Sequence, residues 1–155
     1  MAGEENGLVS ERTIVVAAVL IAHPRRREVL MVRKRGTSAF MLPGGKPAAG
    51  ETMLDAIRRE AAEELGVELE PGRLAELGTW TAAAANEAGF TVTGTVFAYR
   101  GTPAGLDVAA PAVHQEIAAA GWFPAELPAD DDRRQFAPLT RDFALHHLPE
   151  WFFAA

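Results

Sequence analysis

Glu60, Glu63 and Glu64 fall close together in the run Arg59-Glu60-Ala61-Ala62-Glu63-Glu64, with Glu51 a little upstream. On a helix, residues three and four apart are neighbours, so Glu60 and Glu64 share one face and Glu63 lies beside them. Carboxylates this close repel one another, the more so when partly buried, unless a cation neutralises them. Mg²⁺ or Mn²⁺ suits that task, because such ions prefer carboxylate, carbonyl and water oxygens and are commonly shared with substrate phosphates. A dication held there could polarise a phosphoryl oxygen and lower the pKa of a bound water. Arg59 can pair with a neighbouring carboxylate and fix its rotamer. Glu51 stands beside the positive end of the same helix, where an anion is favoured.

The helix that must carry these groups has clear ends. Thr52 can cap its start with Asp55 as the reciprocal partner, and Gly66 can close it in a left-handed turn. Leu54, Ile57, Ala61 and Leu65 make its apolar stripe, so packing on a sheet would leave the acids at the rim. Before it, Thr13 to Ala22 reads as a strand buried on both faces, Glu28 to Arg33 as a second and Phe40 to Leu42 as a third, stopped by Pro43-Gly44-Gly45. After it, Leu74 to Ala85 and Phe90 to Tyr99 alternate as two strands of a hairpin across Asn86 to Gly89, and Ala119 to Phe123 forms another strand. A closing helix is predicted over Leu139 to Leu148. The 101–113 stretch, rich in Ala and Pro, reads as a loop, and Met1 to Arg12 as a flexible tail. The sum is one α+β domain over residues 13–155, with a mixed sheet and helices packed on it.

Composition narrows the functional classes. The chain has 155 residues and a formal net charge of -6, so no overall positive field exists to hold a nucleic-acid polymer or an anionic membrane. Cysteine is absent, which removes thiolate metal sites and thiol nucleophiles and leaves oxygen donors as the main ligands. The longest apolar stretch, Ile14 to Ala22, is too short to span a bilayer and lacks the flanks of a signal peptide. A cytoplasmic location follows by elimination.

The stretch from Gly45 to Val67 fits the pattern G-x5-E-x7-R-E-U-x-E-E-x-G-U, U being a bulky apolar residue, at all seven fixed positions: Gly45, Glu51, Arg59, Glu60, Glu63, Glu64 and Gly66. At average residue frequencies such a match arises by chance on the order of once in a million. The chain therefore resembles the Nudix hydrolase family, with Ala61 smaller than usual at the first U position. The resemblance implies an α/β/α sandwich with helices on both faces of a mixed sheet. It implies hydrolysis of a nucleoside diphosphate linked to another moiety, assisted by Mg²⁺ or Mn²⁺. Glu60 and Glu64 would be the principal metal ligands, Glu63 a further ligand or a base, and the Gly44 carbonyl an additional ligand. Arg59 would orient a glutamate, Lys46 would meet phosphate, and Glu116 resembles a downstream acid that holds another metal or takes a proton from water.

Family members that favour ADP-ribose often carry a proline where Ala82 and Ala83 stand, and dinucleoside polyphosphate hydrolases a tyrosine near Ala84 and Ala85. Their absence points to a MutT-like (deoxy)nucleoside triphosphate pyrophosphohydrolase, acting on ordinary or oxidised nucleotides. ADP-ribose or nucleotide-sugar hydrolysis and a non-catalytic nucleotide sensor stand as the alternatives. Arg33 or Arg35, following the second strand, could meet a terminal phosphate. Arg25, Arg26 and Arg27 read as a solvated turn, and the four histidines show no metal spacing. Trp80 and Phe40 could stack a base or fill the core. Trp151, Phe152 and Phe153 could form a homodimer contact or cover the core.

Overall fold

The computed structural model describes residues 12–127 and 135–154; most of the predicted N-terminal tail lies outside these residues. Strand β1 is Thr13–Leu20, β2 Glu28–Lys34, β3 Ala39–Phe40 and β4 Gly44–Gly45. Helix α1 covers Met53–Leu65. Strands β5 (Leu74–Ala83), β6 (Thr91–Tyr99), β7 (Ile117–Pro124) and β8 (Gln135–Phe136) follow. A four-stranded sheet runs in the order β4-β1-β6-β5, with β1 parallel to β6 and the other pairs antiparallel. Strands β2 and β7 form an antiparallel pair, and β3 and β8 a short parallel one. The mixed sheet and its flanking helical segments match the expected α+β sandwich.

Strand β1 divides the core in two, because successive side chains point to opposite faces. Ala17, Val19 and Ile21 pack on one face with Ala56, Ile57, Ala61 and Leu65 of α1. Ala18, Leu20 and Ala22 pack on the other with Phe136, Leu139, Ala144 and Phe152. The prediction of burial on both faces holds only from Ala17 onward. Near its start the strand is more open, with Val15 42% exposed.

Helix α1 begins where Thr52 Oγ1 accepts the Asp55 N–H at 3.1 Å. It ends at Gly66, whose left-handed φ of 66° would cost a residue with a Cβ roughly 1–2 kcal/mol. The closing helix differs from its prediction. Leu139–Phe143 forms a π-turn and Ala144–His147 a 3-10 turn. The wider π-turn sets Leu139 down on Gly94 of β6, where an added Cβ would lie 2.5 Å from the leucine methyl. Phe152 is buried in the second core, and Trp151 and Phe153 pack partly buried against it. Among the described residues, no helix is long and apolar enough to cross a membrane.

Ile57 lies fully buried between α1 and the sheet. Replacing it by alanine should cost about 2–5 kcal/mol, to be read as a lower denaturation midpoint in urea. A change below about 0.5 kcal/mol would mean that the helix does not depend on this anchor for its seat.

Candidate active site

The acidic residues of α1 separate into three environments. Glu64 turns inward and is only 2% exposed, rather than sitting at the rim of the apolar stripe. Its Oε1 accepts the Gly44 N–H at 3.0 Å, and its Oε2 is buried without a hydrogen-bond partner. Burial is the main reason its pKa rises to about 8; the Gly44 bond opposes the rise, and the negative charge of Glu60 adds to it. Glu60 lies against Gly45, where a Cβ would come 2.4 Å from its carboxyl carbon. A side chain there would have to displace the carboxylate that Arg59 holds. Glu63 faces outward and is 43% exposed.

Arg59 ties the cluster together. Its guanidinium donates to Glu51 Oε1 and Oε2 at 2.8 and 2.9 Å, to Glu60 Oε1 at 2.9 Å, to Glu63 Oε2 at 3.2 Å and to the Lys46 carbonyl at 3.1 Å. Glu51 in turn accepts the Ala48 N–H at 2.8 Å, which fixes the loop before the helix. The paired arginine and this backbone bond hold the Glu51 carboxyl well down, at about 2, and the carboxylates hold Arg59 further above its ordinary value. Among the described residues, no three carboxylate or imidazole groups stand gathered ready for a metal ion. The donor set nevertheless fits a hard dication. It offers an unpartnered buried carboxylate oxygen on Glu64, the Glu60 carboxylate whose charge Glu64 feels, and the backbone of Gly44.

Gly44, Gly45 and Lys46 also border a cavity of about 220 Å³. Its walls include Val16, Leu42, Val92 and Leu139, with Lys34 and Asn86 among its polar groups. Lys34 pairs with Glu116 at 3.4 Å and lies close enough to Glu64 to affect its charge. The structure thus brings together Gly44, Lys46, Glu51, Arg59, Glu60, Glu63 and Glu64, with Glu116 reached through Lys34.

Arg33 and Arg35 are not brought to the cavity. Arg33 donates to the Thr37 carbonyl at 2.8 Å and so closes the turn after β2, while Arg35 is exposed. The register of β2 on β7 shifts between Arg33 and Lys34, and it is the residue between the two arginines that lines the cavity. Strand alternation alone could have separated Lys34 from its neighbours. Trp80 stacks on His147 and Phe40 on Phe123, so neither ring lines the cavity.

The sequence matches the NUDIX domain family over residues 12–143. The chain therefore belongs to the NUDIX domain family. Among solved structures, it is similar to a MutT NUDIX hydrolase from Burkholderia pseudomallei, with TM-score 0.62 and 24% identity over 88% of this chain and 98% of that one. It is also similar to a bifunctional NMN adenylyltransferase/ADP ribose pyrophosphatase from Francisella tularensis complexed with AMP and a Mn ion, with TM-score 0.52 and 19% identity over 78% of this chain and 40% of that one. A sequence relative, the NAD-capped RNA hydrolase ndx-9 of Caenorhabditis elegans, is 39% identical over 57 residues, or 36% of this chain and 15% of the relative's length. By family and by fold the chain carries a NUDIX domain.

Two titrations follow from this geometry. A carboxyl whose pKa is raised by folding contributes stability at low pH that declines above the ordinary carboxylate range, near 4.5, and is lost by about 8. In chelator, the protein should therefore lose stability between pH 5 and pH 8, and Glu64→Gln should flatten that loss; equal slopes for the two proteins in urea unfolding would contradict it. Glu51 has the opposite sign, its contribution being present above the ordinary range and lost as pH falls through about 2. Arg59→Gln should move the Glu51 carboxyl titration, followed by carbon NMR, upward into the ordinary carboxylate range.

Proposed function

We propose that the chain hydrolyses the phosphoanhydride of a nucleoside diphosphate linked to a further group, and that its preferred substrate is a (deoxy)nucleoside triphosphate cut to the monophosphate and pyrophosphate. The observation that carries this reading is the double role of the Gly44-Gly45 backbone. It is held by buried Glu64 and packed by Glu60, and it also walls the cavity. A nucleotide seated in the cavity would present its phosphates at the acids.

Glu60, Glu64 and the Gly44 carbonyl would hold Mg²⁺ or Mn²⁺, with Glu63 as a further ligand. Such an ion neutralises phosphate charge and lowers the pKa of water. Arg59 acts as a positioning residue, since its bonds to Glu51 and Glu60 fix the carboxylates before substrate arrives. Lys46 and Lys34, both at the cavity, supply positive charge to the phosphates of an acidic protein's anionic substrate. Glu63 is exposed and Glu116 stands beside Lys34, so either can accept the proton of an attacking water.

Ala83, Ala84 and Ala85 line the cavity, and these small side chains leave room for a base. The alternative substrate is an adenine dinucleotide or ADP-ribose, which the names of the Francisella and Caenorhabditis relatives suggest.

A panel of nucleoside triphosphates, ADP-ribose, NAD and nucleotide sugars, incubated with Mg²⁺ and with Mn²⁺, separates these readings by product. Triphosphates should yield monophosphate and pyrophosphate. Glu60→Gln and Glu64→Gln should each lower kcat/KM by more than the roughly 10- to 100-fold typical of losing an outer partner of a metal site. Nucleotide binding without hydrolysis of any panel member would make the domain a sensor instead.

A further inference from the structure

Among the described residues, Gln115 is the one non-glycine with positive φ, at 57°. A residue with a Cβ is strained in that region, so its surroundings must hold it there. Anchors on both sides do so. His114 donates its N–H to the Glu64 carbonyl at 3.0 Å, and its imidazole lies over the end of α1, where a Cβ on Gly66 would come 3.1 Å from Nε2. On the other side Ile117 opens β7 and pairs with Lys34 of β2, while Arg35 donates its N–H to the Glu116 carbonyl at 2.7 Å.

Gln115 and Glu116 alone bridge the two anchors, and the Ile117 N–H closes the bridge on the His114 carbonyl at 3.1 Å. That bond defines a β-turn with positive φ at its second residue and not at its third, as in type II′, where glycine is the usual occupant. A side chain kept in a strained turn by bonds on both sides is a pattern that clusters at functional sites.

The group this turn delivers is Glu116. Its carboxylate meets Lys34 Nζ at 3.4 Å, Lys34 lines the cavity, and Glu64 feels the charge of both. One end of the turn hangs on the main chain of Glu64 and the other on the strand that carries Lys34. The Glu116 backbone is thereby fixed relative to α1 and to the cavity together.

We propose that Gln115 is a positioning residue for hydrolysis: its turn, anchored through His114 to the Glu64 carbonyl, sets the Glu116 carboxylate to accept the proton of the attacking water. As the water oxygen bonds to phosphorus, its proton passes to Glu116, and the bridging P–O bond breaks with its electron pair on the departing phosphate. This rests on the nucleotide-hydrolase reading for the reaction, while the placement of Glu116 rests on the turn.

The test compares Gln115→Gly, which permits positive φ at no steric cost, with Gln115→Val, whose branched side chain opposes it; Gln115→Thr, branched but polar, replaces valine if that chain fails to fold. With saturating nucleoside triphosphate and Mg²⁺, the glycine variant should keep kcat within about threefold of wild type and the branched variant should lose about tenfold or more, because a small misplacement of an acting group can cost on the order of 100-fold. KM should move by less than about twofold in both, since the turn is asked to hold a proton acceptor and not to bind the nucleotide. Glu116→Gln should itself lose roughly 100-fold or more, the scale of general-base catalysis, and adding the branched substitution to it should cost nothing further. Losses that multiply in the double variant would overturn the proposal, and so would a full rate in Glu116→Gln or a glycine variant slower than the branched one. Hydrogen exchange at the Arg35 and His114 amides, measured without nucleotide or metal, reads the turn itself and should quicken in the branched variant. If nothing is hydrolysed, the hydrolase reading fails by itself, and equal exchange in wild type and branched variant would still sink the placement.

Discussion

A carboxylate buried with one of its oxygens unpartnered is costly, because desolvation penalises charge far more than a single backbone bond restores. Glu64 is in that position, and burial answers by raising its pKa to about 8. The side chains that dock α1, Ile57, Ala61 and Leu65, fix its rotation on β1, and the same rotation directs Glu64 inward to Gly44. The site therefore follows from helix packing: seating the apolar stripe buries the acid. A group held in this unfavourable state is one that a hard cation would relieve.

Arg59 solves a second problem created by the same helix. Glu60 and Glu63 follow it in sequence, and Glu51 comes from the loop that leads into α1. One planar guanidinium with five donors satisfies all three carboxylates and the Lys46 carbonyl as well. Lysine could not reproduce this, having a single compact charge without the fork that grips Glu51 through both its oxygens.

Legibility from sequence followed locality. Helix α1 could be read from Thr52, Gly66 and its apolar spacing because cap, stripe and end all lie within fifteen residues. The two-sided role of Glu64 could not, since it depends on Gly44 twenty residues away and on how α1 is rotated against β1. Lys34 lay between two arginines of the same charge, and only strand alternation distinguishes it from them. The π-turn at Leu139–Phe143 was equally out of reach. Its residues read as an ordinary helix, and the wider winding answers to contacts such as Leu139 on Gly94, far apart in sequence. Trp80 and Phe40 were ambiguous for the same reason, and their ring partners His147 and Phe123 decide them.

The two glycines of β4 show how closely acid cluster and cavity are joined. A Cβ on Gly44 would fall 2.0 Å from the Ala17 carbonyl oxygen, and one on Gly45 would strike the Glu60 carboxyl group. The Gly44 clash is with backbone and cannot be relieved without moving β4, because Ala17 and Ala18 pair with Gly45 and Gly44 across β1 and β4. Moving β4 away to admit a side chain would lift Gly44 from Glu64 and widen the cavity at once. The same two glycines thus contact the acids and line the cavity with bare backbone.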